Sequence, residues 1–206
     1  YHLDGRQLMA PAGPICGIDA LSRSLPHDIT NALAAAAICM ESGLATADAA
    51  RSALGEFRHP PHRIEPVADV DGVAWFNDSK ATTPHAALTA IRSFDRIVLL
   101  AGGRNKDLDL ASLATEAHRM QAVVALGEAA PIIEEAFHGR VPTVRAESMA
   151  EAVDAARRLA RPGDTVLLSP ACASFDWYPE GGYPARGDHF KQLVLQAVHA
   201  VPGGGQ

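Results

Sequence analysis

No apolar run in these 206 residues is long enough to cross a bilayer as a helix: the longest, Ala32 to Met40, falls far short of the roughly 20 residues required. No signal peptide precedes a cleavage site, and the first residue is Tyr1 rather than Met, from which a fragment or a processed chain is expected. Cysteine is scarce and odd in number (Cys16, Cys39 and Cys172) and no CxxC occurs, so reduced thiols are expected rather than a disulfide framework or a zinc site. The nine histidines form no HExxH or paired Cys/His pattern, and no metal site is predicted. A Walker A string, GxxxxGK[ST], is also missing. Ser174 lies between Ala173 and Phe175 rather than in a GxSxG elbow, so the nearby Asp176 and His189 do not amount to a hydrolase triad. Positive charge is in deficit, with 18 Lys+Arg against 24 Asp+Glu and a net charge of −6, which argues against nucleic acid as a partner.

What is present is ordinary globular material, 48% apolar and 20% charged, enough for one large domain or for one domain and part of another. Residues 1–26 are broken by Pro11, Gly13, Pro14, Gly17 and Pro26 and are predicted to be irregular. An Ala-rich helix is predicted from Asn31 to Gly43, and a second from an N-cap at Thr46 to about Gly55. Pro60 and Pro61 then mark a boundary. Beyond it, two short alternating runs flank Asp71-Gly72, a hairpin signal. Buried strands are predicted at Arg96–Ala101, Ala122–Leu126 and Asp164–Ser169. Helices are predicted at Pro84–Arg92, Leu110–Arg119, Ala130–Phe137, Ser148–Leu159 and Asp188–His199. Nearly continuous apolar strands alternating with amphipathic helices indicate an α/β fold with a doubly wound, mostly parallel sheet.

In such sheets ligands bind beyond the carboxyl ends of the strands. Three loops meet that description: Asn77-Asp78-Ser79-Lys80-Ala81-Thr82, Gly102-Gly103-Arg104-Asn105-Lys106 and Ser169-Pro170-Ala171-Cys172-Ala173-Ser174. Asp78 suits ribose hydroxyls, and Lys80 suits a phosphate or a carboxylate. Asp78 or Ser79 as a turn former, and Thr83 as the N-cap before Pro84, explain the same residues without a ligand. Lys106 suits a substrate carboxylate, or is one more solvated lysine. Ser174 suits a hydrogen bond to a carboxylate.

Several strings resemble those of the Mur ligases of peptidoglycan synthesis, and within them the glutamate-adding branch. They are Asn77 to Thr82, Leu167-Leu168-Ser169-Pro170-Ala171-Cys172-Ala173-Ser174-Phe175-Asp176 and Arg186-Gly187-Asp188-His189-Phe190. His62-Arg63-Ile64-Glu65, Gly102-Gly103 with Lys106, and the upstream Asn31 add to them, in family order, from about Leu25 to about Val194. The resemblance implies the carboxyl-terminal part of a three-domain enzyme. Residues 1–61 would be the end of a central ATPase domain, loosely packed in isolation. Residues 62–200 would be a Rossmann-like glutamate-binding domain, and 201–206 a flexible tail.

The implied reaction is ATP-dependent ligation of glutamate to UDP-N-acetylmuramoyl-L-alanine through an acyl phosphate, in the bacterial cytoplasm and by a monomer, with Mg²⁺ and phosphate ligands upstream of Tyr1. No nucleic-acid or membrane partner is implied, and this chain alone would be inactive. Residue by residue, the resemblance assigns glutamate binding to Thr82, Lys106, Ser174, Phe175 and Tyr183. It assigns nucleotide binding to Asn31, Asp28, Arg63, Asp78 and Lys80. The segment Tyr178–Arg186 is about two residues longer than the family pattern, Thr83 replaces a usual Asn, and Asp28 replaces a second Asn at the adenine contact. Another Mur or folylpolyglutamate-type ligase, or a non-catalytic nucleotide-sensing module, is the competing reading.

Overall fold

The computed structural model describes residues 1–199; the tail expected to be flexible, 201–206, lies outside the described residues. The chain divides into two compact units, Tyr1–His59 and a second that begins at Pro60.

The first unit corrects the expectation of an irregular start. Three short antiparallel strands, β1 (His2–Asp4), β2 (Gln7–Ala10) and β3 (Gly13–Gly17), form a sheet in that order. Two of the residues that looked like breakers serve this sheet: Gly13 adopts positive φ, as Gly5 does in the first turn, and Pro14 sits in the edge strand β3, where its missing N–H costs no ladder bond. Two helices follow, α1 (Pro26–Glu41) and α2 (Ala47–Glu56). The first opens five residues earlier than predicted, because Pro26 is a good first-turn residue and Asp28 caps it, accepting from the Leu25 N–H at 3.1 Å. Thr46 caps α2 as predicted, accepting from the Ala49 N–H. Leu8, Ala10, Ile15, Ile18, Ala32, Ala36 and Ala50 form a core of their own, and Arg51 Nε donates to the Ile15 carbonyl at 2.6 Å, tying α2 to β3.

The second unit is the expected doubly wound α/β sheet. A hairpin joins β4 (Glu65–Val70) to β5 (Val73–Asn77), with Asp71 at φ 54° and Gly72 at φ 77°, the conformation a two-residue turn requires. The remaining strands are β6 (Ile97–Gly102), β7 (Met120–Leu126), β8 (Thr143–Ala146) and β9 (Thr165–Ala171). Their order is β4-β5-β9-β6-β7-β8, parallel throughout except for β4. Edge strand β8 was not predicted: its four residues carry exposed Val144 and Arg145 and never form an apolar run.

Helices α3 (Pro84–Ile91), α4 (Ala130–Phe137), α5 (Met149–Leu159) and α6 (Gly182–His199) flank the sheet. The α5 and α6 side packs on Trp75, Val98, Leu100, Val124, Val166 and Leu168. The helix expected over 110–119 is instead a 3₁₀ segment that departs from helical geometry at Glu116. Within it the Ser112 and Thr115 hydroxyls each donate to a carbonyl three residues back, the local competition that disfavours a regular α-helix. Helix α6 begins six residues before its predicted start. Its Gly187 is a packing requirement rather than a break, because a Cβ there would collide with the His62 ring and the Asn77 amide.

Candidate functional site

The strand order explains why three loops far apart in sequence matter together. Chain order carries the backbone from β5 to β6, and the last strand, β9, inserts between them. The loops after β5, β9 and β6 are therefore neighbours at the switch point of the sheet, where such folds bind ligands.

The loop after β5 splits into a buried half and an open half. Asn77, Asp78 and Ser79 are buried, whereas Lys80 and Thr82 are partly exposed. Asn77 Oδ1 accepts from the Ser79 N–H, and its amide donates to the Glu65 carboxylate and to the Gly187 carbonyl. The Asp78 carboxylate accepts from the Ile64 N–H at 3.2 Å and from Ser169 Oγ at 2.8 Å, so a ribose would have to share its remaining lone pairs. Arg63 is exposed between two residues in the left-handed region, His62 at φ 62° and Ile64 at φ 47°. For a β-branched residue that conformation is strained, and here surrounding bonds impose it. The His62 N–H donates to Glu65, the Lys80 N–H to the His62 carbonyl, and the Ile64 N–H to Asp78. Burial alone would raise the Glu65 carboxyl, but the Lys191 ammonium at 2.6 Å leads the interactions that hold it below its usual value.

Gly102 and Gly103, which resemble a phosphate cradle in sequence, serve close packing. Both have φ near +126°, and a Cβ would strike the Leu126 backbone at the first and the Ala173 carbonyl at the second. The loops after β6 and β9 are stitched by reciprocal bonds between Arg104 and Ala173, at 2.8 and 3.1 Å. Beyond the glycines Lys106 is exposed, with its Nζ 5.9 Å from the centre of the Phe175 ring. Lys80 Nζ lies 5.7 Å from the Tyr183 ring in the same way. Two cations from two loops thus sit over two aromatic rings on the segment that follows β9. Ser174 is buried at the start of that segment, and its carbonyl accepts from the Tyr178 N–H.

Arg186 was given no role by sequence reasoning, although it lies in a string that carried the resemblance. Its guanidinium is buried and donates to Ser79 Oγ (2.9 Å), the Ser79 carbonyl (2.8 Å) and the Cys172 carbonyl (3.1 Å). It also reaches the Ala173 carbonyl and stands against Gly103, so one side chain joins all three loops. Burial lowers its pKa to about 10, which leaves it charged at neutral pH. Burial raises the Cys172 thiol to about 12, so it is no nucleophile. Asp176 accepts from the Glu128 N–H and His189 bonds the Tyr178 hydroxyl, so neither is engaged with Ser174 and these three residues assemble no triad.

The other two nucleotide candidates lie on α1 in the first unit. Asn31 is exposed. Asp28 is buried and paired with Arg23 through both carboxylate oxygens, at 2.7 and 2.8 Å. No group of three or more His, Cys, Asp or Glu side chains among the described residues is placed to hold a metal ion. None of the described helices is long and apolar enough to cross a membrane.

Fold and rim together define a doubly wound α/β domain that gathers lysines, hydroxyls and aromatic rings from three loops at a switch point of the sheet. The chain belongs to the Mur ligase family: residues 62–172 match the model of the Mur ligase glutamate ligase domain. It is 45% identical over 186 residues to the UDP-N-acetylmuramoylalanine–D-glutamate ligase of Symbiobacterium thermophilum, a match spanning 88% of this chain and 40% of that protein. The chain thus covers well under half the length of such relatives. Among solved structures, the UDP-N-acetylmuramate–alanine ligase of Thermotoga maritima matches with a TM-score of 0.63 at 16% identity, over 86% of this chain and 40% of that one. A bifunctional folylpolyglutamate/dihydrofolate synthase of Yersinia pestis matches with a TM-score of 0.57 at 20% identity, over 83% of this chain and 39% of that one. At those identities the likeness concerns the fold, which both kinds of ligase share.

Proposed function

We propose that this chain is the carboxyl-terminal part of an ATP-dependent ligase that joins D-glutamate to UDP-N-acetylmuramoyl-L-alanine, and that the rim of its second unit holds the amino acid. One observation carries the reading: Lys106, beyond the Gly102-Gly103 turn, stands over Phe175 next to buried Ser174, and the neighbouring loop after β5 adds the half-exposed hydroxyl of Thr82. An amino acid with two carboxylates needs two anion sites about its own length apart, each with a cation or hydroxyl donor. Sequence identity to relatives named as D-glutamate ligases supports glutamate over the other substrates this fold serves.

In this reading a carboxylate oxygen of the muramoyl-alanine substrate takes the γ-phosphoryl group of ATP, the bond to the β-phosphate breaks, and ADP leaves an acyl phosphate behind. The glutamate amine attacks the acyl carbon, the C–N bond forms, and the C–O bond to phosphate breaks, releasing inorganic phosphate and the amine proton. Mg²⁺ and the triphosphate are held outside this chain. The rim contributes position: Lys106, Thr82 and Ser174 fix the carboxylates so that the amine is presented at a constant distance. Phe175 and Tyr183 exclude water from the ion pairs. Arg63, Lys80 and Asp78 of the second unit are assigned to the nucleotide, as are, separately, Asn31 and Asp28 of the first, and the bacterial cytoplasm is where the enzyme works as a monomer. The test is phosphate release by the full-length enzyme with ATP and UDP-N-acetylmuramoyl-L-alanine present. Release that needs D-glutamate, and is not supported by L-glutamate or a diamino acid, is the expected result; indifference to D-glutamate would overturn the reading.

A further inference from the structure

The two rings that face lysines, Phe175 and Tyr183, bracket the stretch that leads from β9 into α6. Its ends are anchored by Arg186, which donates to the Cys172 carbonyl, and by Ser79 Oγ, which donates to the Tyr183 carbonyl at 2.8 Å. Its middle is held at two points. Asp176 is one, through the Glu128 N–H at 3.2 Å. Tyr178 is the other, and it makes three bonds: its N–H donates to the Ser174 carbonyl at 2.8 Å, its carbonyl accepts from the Gly182 N–H at 3.0 Å, and its hydroxyl lies 2.8 Å from His189 Nδ1 on α6. The two rings meet edge to face at 5.9 Å, and Tyr178 packs on the core beneath α6. One residue therefore links Ser174, the residue before Tyr183, and the body of the domain.

We propose that Tyr178 and His189 are a positioning pair that holds Ser174, Phe175 and Tyr183 in register for the amino-acid substrate. This rests on the reading of the rim as the amino-acid pocket. Ordering a free backbone costs about 1–2 kcal/mol per residue, so a segment fixed before the ligand arrives spares the ligand that cost. Burial raises the Tyr178 hydroxyl to about 12, and it stays protonated. It donates to Nδ1 when that nitrogen is bare and accepts when Nδ1 carries hydrogen, so the pair forms in either tautomer of the ring.

The experiment is steady-state kinetics on the full-length ligase with Tyr178→Phe, which keeps the ring and removes the hydroxyl. The KM for glutamate is expected to rise about three- to tenfold, the worth of one hydrogen bond, with kcat, the KM for ATP and the melting temperature unchanged. His189→Leu should match it, His189→Asn should restore affinity because its amide oxygen replaces Nδ1, and the double variant should be no worse than either single one. An unchanged glutamate KM in Tyr178→Phe, additive effects in the double variant, or a joint fall of kcat, both affinities and melting temperature would overturn the proposal. Wild-type enzyme indifferent to glutamate would instead defeat the substrate reading. The pair is then judged by hydrogen exchange at Gly182 in this chain, where Tyr178→Phe should speed exchange and an unaltered rate would overturn it.

Discussion

A guanidinium taken out of water is costly unless its donors are met, and Arg186 meets them with oxygens from two rim loops while standing against a glycine of the third. Replacing it by Met keeps the apolar stem but leaves the Ser79, Cys172 and Ala173 oxygens without their donor, several at once. The expected loss is about 3 kcal/mol or more of unfolding free energy, read from the denaturation midpoint of the second unit; a loss under about 1 kcal/mol would mean that the loops hold themselves. Lysine should not rescue it, since one ammonium cannot reach both Ser79 and Cys172 as the planar fork does. None of this was readable from composition, because a buried arginine is recognisable only once distant loops supply its acceptors. Likewise, no pattern in Asn77 to Thr82 told that Asp78 and Ser79 turn inward while Lys80 and Thr82 face outward. That division depends on Ile64, Ser169 and Arg186, all remote in sequence.

At the scale of elements, the parallel strands were readable because burial on both faces makes them continuous apolar runs, and β6, β7 and β9 fall where such runs occur. The three strands of the first unit were not readable, since three to five residues are too few to show a period and their turns use the same glycines and prolines as irregular chain. Helix α1 shows how one residue sets an element's start. Burial works to raise the Asp28 carboxyl, but the Arg23 hydrogen bonds and charge, with His27 and His59, overcome it and hold the group below its usual value. A carboxyl held low in the folded state adds stability above the unfolded pKa of about 3.9 and loses it as pH falls through the folded value. Asp28→Asn should therefore weaken α1 by about 1–2 kcal/mol at pH 7, and the gap to wild type should shrink below about pH 4. Hydrogen exchange of the α1 amides at pH 7 and in acid checks this; a gap that stays constant through the acid range would rule out the ion pair as its source.

At the scale of the molecule, the sequence put the three loops on one rim but not the strand order that makes them neighbours. Only the insertion of β9 between β5 and β6 sets the loops of Lys80, Lys106 and Ser174 side by side. The chain has no GxxxxGK[ST] string to cradle a triphosphate, so mixed alone with ATP, UDP-N-acetylmuramoyl-L-alanine and D-glutamate it should release no phosphate above background, and clear turnover would refute the division of labour proposed for it. The central claim is that the rim is a carboxylate clamp with Lys106 at its head. It is tested most directly by steady-state kinetics of Lys106→Ala in the full-length ligase, varying glutamate and ATP separately. Removing one partner of a charge pair desolvated by the bound substrate costs about 2–5 kcal/mol. The account therefore predicts a fall of about 30- to several-thousand-fold in kcat/KM for glutamate with the KM for ATP nearly unchanged. An unaltered dependence on glutamate would contradict it and return Lys106 to the status of a solvated loop lysine.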